Sequence, residues 1–171
     1  MEYNITANFK KDPTSVAVTV NYVYSGLYGA DFIYTETQYL TEGTHTITAD
    51  AAQYEGKGFQ LVDAAANTQE VNVTQKDGQL VADVDTVSFS VKPTVDPTTV
   101  SFSVTYVDLA GNPIGAGGRI WFDDIGVYDR ENILLPYGYR AIPPAHPGED
   151  WFYPTSLEYI DGQWQATVPD L

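Results

Sequence analysis

Three observations predict an all-β protein, β-rich with little helix, built as two tandem small β domains. Apolar residues alternate with small or polar ones over short stretches. Val16, Val18, Val20 and Tyr22 are interleaved with Ala17, Thr19 and Asn21; Val100, Phe102, Val104 and Tyr106 with Ser101, Ser103 and Thr105. A period of two belongs to a strand with one buried face and one wet face. No stretch carries an apolar stripe of period 3.6 over three turns, which argues against long helices. Two landmarks also recur at one offset. Tyr22 and Tyr106 are 106 − 22 = 84 residues apart, and Asp77-Gly78-Gln79 precedes Asp161-Gly162-Gln163 by 161 − 77 = 84. A fixed offset is the signature of a tandem repeat.

The elements follow in order. Residues 1–15 hold an N-terminal strand, Tyr3–Phe9, and a linker with Asp12-Pro13. The first repeat spans 16–92. Its opening strand turns at Ser25–Gly29 into Phe32–Leu40, rich in aromatic and β-branched residues. Glu42-Gly43 turns the chain into Thr44–Ala49. Asp50–Gly56 is expected to make one helical turn, with Asp50 as N-cap and Gly56 as stop. Phe59–Val62 and Gln69–Thr74 are strands, Lys76–Gln79 a hairpin turn, and Leu80–Val84 with Thr86–Val91 close the repeat. Residues 93–99 are a second linker, with Asp96-Pro97, since proline biases its neighbourhood to extended geometry. The second repeat spans 100–171. Its opening strand reverses at Asp108–Pro113, and Ile120-Trp121-Phe122 is a strand core in which Trp121 is expected inside. A Pro-rich loop, Pro143–Asp150, has no counterpart in the first repeat. Trp164 stands where the first repeat has Leu80 and calls for a larger apolar slot. The packing of each unit is β-grasp-like or an immunoglobulin-like sandwich.

The formal net charge is −15, spread over both repeats. Without a basic stripe, nucleic-acid binding is excluded as a working reading, as is attraction to anionic membranes. No spanning segment is expected, hence no membrane insertion. There is no cysteine, which removes disulfides, thiolate catalysis and Cys-ligated zinc. The Met-Glu start shows no apolar secretion signal. Ala166–Leu171 resembles Ala82–Thr86, which precedes a strand in the first repeat, so the chain is expected to be a piece of a longer array.

The pieces Tyr106–Ile114 (YVDLAGNPI), Glu42–Ala49 (EGTHTITA), Gly56–Leu61 (GKGFQL) and Val87–Val91 (VSFSV) together resemble the mucin-binding-type repeats of Gram-positive bacterial surface proteins. The resemblance spans roughly residues 16–171. It implies small β-grasp-like units, exported, attached to the cell wall through other parts of a parent protein, and acting as adhesin modules or stalk spacers. Implied partners are a host glycoprotein or glycan and neighbouring repeats. The first repeat departs from the pattern, with Tyr24-Ser25-Gly26 where the second has Asp108-Leu109-Ala110.

No catalytic residue is assigned. His45 lies in a Thr-rich strand and His146 in the Pro-rich loop, and neither belongs to a nucleophile or metalloprotease motif. A ligand site, if the second repeat has one, is expected at Trp151, Phe152, Tyr153 and His146 with Asp123 and Asp124. All three tryptophans fall in this repeat. The rings of residues 151–153 would offer a platform for sugar faces or a peptide, with a carbohydrate-binding module as the alternative function. Asp123 or Asp124 would orient hydroxyls or hold Ca²⁺, although no calcium-loop spacing supports the ion. The competing reading is that these aromatics clamp their own loop and that the acids are solvated. Asn72-Val73-Thr74 fits the N-glycosylation pattern, a match common by chance.

Overall fold

The structure is a computed structural model, and it describes residues 14–128 and 155–167. It is all-β, with twelve strands and three short 3-10 turns among the described residues. The first strand, β1 (Val16–Gly26), buries Val18, Val20 and Tyr22 completely, as the alternation requires. It forms an antiparallel hairpin with β2 (Gly29–Leu40). The turn is shorter than expected: only Leu27 and Tyr28 lie between the strands. The register passes from Tyr22↔Tyr34 to Val23↔Phe32, so Ile33 is an extra residue, a β-bulge. Beyond it Phe32 faces outward and is exposed.

β3 (Gly43–Thr48) leads to the Asp50 cap, whose carboxylate accepts from Ala52 N at 3.0 Å and opens a 3-10 turn over Ala51–Gln53. A second 3-10 turn covers Glu55–Lys57. The stop is Gly58, in the left-handed region at φ 83°, and not Gly56. The expected single turn thus becomes two, because Gly58 is the glycine that adopts the positive φ of a helix end. β4 (Phe59–Leu61), β5 (Thr68–Lys76), β6 (Gln79–Ala82) and β7 (Thr86–Pro93) follow. Asp77 and Gly78 both take positive φ, 52° and 76°, the backbone of a two-residue hairpin turn whose twist matches its strands.

One sheet runs β2-β1-β7-β4 and a second β3-β5-β6. β1 and β7 are adjacent and parallel, from Thr19↔Thr86 to Tyr24↔Val91. A first and a last strand paired in parallel at the centre of one sheet, with the second sheet packed on its face, make this part of the chain an all-β sandwich. The core lies between the two sheets: Val18, Val20, Tyr22, Val87, Phe89 and Val91 from one, Ile47, Val71 and Val73 from the other. Tyr22 sits at its centre, tilted against Tyr34, Tyr54 and Phe89, and its hydroxyl accepts from Asp50 N at 2.7 Å.

The later chain forms two smaller sheets. β8 (Ser101–Val104) pairs antiparallel with β9 (Gly118–Trp121). The expected reversal between them is closed by the Asp108 carboxylate, which accepts from Ala110 N and Asn112 N, both at 2.8 Å. β10 (Gly126–Tyr128), β11 (Thr155–Ile160) and β12 (Gln163–Thr167) form an antiparallel sheet. The β11–β12 turn is Asp161-Gly162, with φ 51° and 83°, the same backbone as Asp77-Gly78. Trp121, expected in the core, is 48 % exposed, with the Arg119 guanidinium 5.8 Å from its ring centre. It is Phe122 that turns inward, 2 % exposed and 5.7 Å from the Phe102 ring. No described helix is long and apolar enough to cross a membrane.

Candidate functional site

Of the six residues the sequence points to, Trp151, Phe152, Tyr153 and His146 lie outside the described residues, as does the Pro-rich loop. Asp123 and Asp124 are described. Phe122 fixes them: its ring is buried and its N–H donates to Val100 O at 3.1 Å, so the two carboxylates leave β9 at a set angle. Asp123 is half-buried. Asp124 is 4 % exposed and reaches into the first half of the chain. Its Oδ1 accepts from the Tyr24 hydroxyl and from Ile125 N at 2.7 Å, and its Oδ2 from Leu27 N at 2.6 Å. A carboxylate buried this way needs such donors, since burying it unpaired is costly. Both oxygens of Asp124 are therefore engaged within the chain, and its place is under the β1–β2 turn, not on an open surface.

Gly26 makes that approach sterically feasible. A Cβ there would lie 2.3 Å from Asp124 Oδ2 and 2.9 Å from Tyr24 Cε1. Tyr24 itself is held protonated. Burial raises its pKa well above the ordinary tyrosine value, and the hydrogen bond to the Asp124 carboxylate raises it further.

A second contact lies one aromatic ring away. Tyr24 packs on Phe59, with ring centres 5.8 Å apart, and Phe59 meets Trp164 of β12 edge-on at 5.6 Å. Trp164 is tilted against Tyr159 of β11 at 5.5 Å. Its indole N–H donates to Gly58 O at 3.0 Å and lies 3.2 Å from Thr94 Oγ1. Thr94 adds its own bonds to the same carbonyl, from N at 2.8 Å and from Oγ1 at 3.0 Å. Here too glycine is required. A Cβ on Gly58 would lie 2.3 Å from Tyr159 Cδ2 and 2.8 Å from Trp164 Nε1. The larger slot that Trp164 calls for is thus formed by the first half of the chain, at the edge of its core.

For a cation, no three His, Asp or Glu side chains converge among the described residues. Asp83 accepts from Asn72 N at 2.9 Å and Asn72 Nδ2 at 3.1 Å, which hold its carboxyl below the usual range. Asn72, in the glycosylation-type tripeptide, also accepts from Thr44 Oγ1 at 2.7 Å. His45 Nε2 bonds Thr41 O at 2.8 Å.

Residue reading did not single out Tyr24, Gly26, Gly58 or Tyr159. The available signals were the glycines. Gly58 stands in GKGFQL, and Gly26 ends the Tyr24-Ser25-Gly26 stretch that differs from Asp108-Leu109-Ala110. No protein-family model, curated protein or solved structure matches the chain.

Proposed function

We propose that the chain is a non-enzymatic segment of an exported bacterial cell-surface protein, two related β units in tandem, acting as a stalk or spacer that carries adhesive parts of its parent. The supporting observation is the joint. The second half meets the first through Asp124 under one turn and Trp164 with Tyr159 over Gly58. A spacer needs units held in a fixed stance, and the two contacts, on either side of Phe59, are each floored by a glycine. The resemblance to mucin-binding-type repeats supports export and wall attachment, and the even acidic charge suits a solvated surface chain.

The test is whole-cell labelling of the source bacterium with an antibody to this segment, before and after surface proteolysis. Labelling of intact cells that protease removes is the expected result; antigen seen only after lysis rejects the reading. A glycan array separates the competing function. Binding that Trp151→Ala abolishes would replace the spacer by a carbohydrate-binding module.

A further inference from the structure

The unit formed by β1–β7 has a property set by its strand order alone. The chain enters through β1 and leaves through β7, and these two strands lie side by side, parallel and bonded over Thr19–Tyr24 and Thr86–Val91. In a parallel pair the entry point at Val16 and the exit at Pro93 are at opposite ends of the ladder. Tension along the chain therefore drags the two strands past one another lengthwise. Every bond of the ladder is loaded at once, and none can open before its neighbours. The β1–β2 hairpin is the opposite case. Val16 pairs with Leu40, so pulling on those two ends peels the pairs one by one.

We infer that this unit is a force-bearing element, with β1–β7 as a shear clamp that resists tension along the chain. Side chains reinforce the ladder. Val20, Tyr22, Val87, Phe89 and Val91 are buried on one face, while Ser88 and Ser90 lie on the other. A slip of one residue would bring serines to the core and expose the apolar set. Neither strand is at the sheet's edge, because β2 flanks β1 and β4 flanks β7. The exit is also stapled. Thr94, the first residue after β7, bonds Gly58 O, and Trp164 bonds the same carbonyl. Load arriving from the second half meets this staple before it reaches the ladder. The biological use of the clamp rests on the stalk reading; the clamp itself does not.

Single-molecule pulling on the full chain tests it. The sequence has no cysteine, so introduced pairs are unique handles. Thr14→Cys with Thr98→Cys loads the clamp in shear, and Thr14→Cys with Glu42→Cys loads the hairpin in peeling; circular dichroism checks that both variants fold. At one loading rate the shear pair should rupture at a several-fold higher force. It should do so in one step that releases about 290 Å of chain, for 98 − 14 = 84 residues near full extension. Equal forces in the two geometries overturn the clamp and leave surface location to be judged by cell labelling. Antigen confined to lysed cells would remove the stalk and leave the force difference standing.

Discussion

Replacing Gly58 by alanine separates backbone strain from packing at the joint. Gly58 has φ 83°, where a side chain costs roughly 1–2 kcal/mol. The added Cβ would also fall 2.3 Å from Tyr159 Cδ2, 2.6 Å from Tyr159 Cγ and 2.8 Å from Trp164 Nε1, so both rings must move. Their displacement breaks the edge-on contact with Phe59, worth about 0.5–1.5 kcal/mol, and the indole bond to Gly58 O, worth about as much. Gly58→Ala should therefore destabilise the protein by about 2–5 kcal/mol in urea unfolding followed by far-UV circular dichroism. In a Tyr159→Ala/Trp164→Ala background the rings are gone and only the strain remains, so the same change should cost about 1–2 kcal/mol. The difference is the coupling energy between the two halves. If Gly58→Ala costs the same in both backgrounds, within about 0.5 kcal/mol, the aromatic pair does not rest on this glycine. A cost near zero in both would also refute the left-handed conformation.

Two further perturbations address the other contact and the pH response. Asp124→Ala strands the Tyr24 hydroxyl and Leu27 N–H without their acceptor and should cost about 2–4 kcal/mol in the same assay, with Asp124→Asn milder; a loss below about 0.5 kcal/mol would refute the latch. The raised pKa of Tyr24, with that of buried Tyr22 raised in the same sense, means that the unfolded chain loses these protons first. Stability should accordingly be level with respect to these groups below about pH 10 and fall as pH rises above it, with a shallower fall in Tyr24→Phe, measured by thermal melts in alkaline buffers.

Much of the first sheet was legible because its signals are local. The alternation at Val16–Tyr22 and Val87–Val91 names the buried face, Asp50 is a side-chain cap, and Asp-Gly marks both hairpin turns. What was not legible depends on distant parts of the chain. The sequence places the stop of the helical turn at Gly56 and the structure places it at Gly58, because a glycine carries no mark of which φ it will take. Trp121 and Phe122 are neighbours, so on a strand only one can point inward; the period of two joins Phe122 to Ile120 on the inner face and Trp121 to Arg119 on the outer one, a local signal that the expectation for Trp121 passed over. Asp124 reads as a loop acid, because its partners Tyr24 and Leu27 are about a hundred residues away. The parallel pairing of β1 with β7 is equally invisible locally, since an isolated strand has the same alternation whichever way its neighbour runs.

The joint has a direction. Trp164 acts as a plug and Gly58 as its socket, whereas Leu80, which follows the earlier Asp-Gly-Gln turn as Trp164 follows the later one, is packed against its own core. The two halves are therefore not interchangeable. A chain re-engineered with the second half ahead of the first would keep Leu80 and Gly58 in one half, and Trp164 would have to reach its seat without the direct link through residues 94–100. A large ring in the later half and a bare glycine in the earlier one make the contact unsymmetrical, so it gives the two halves a head and a tail.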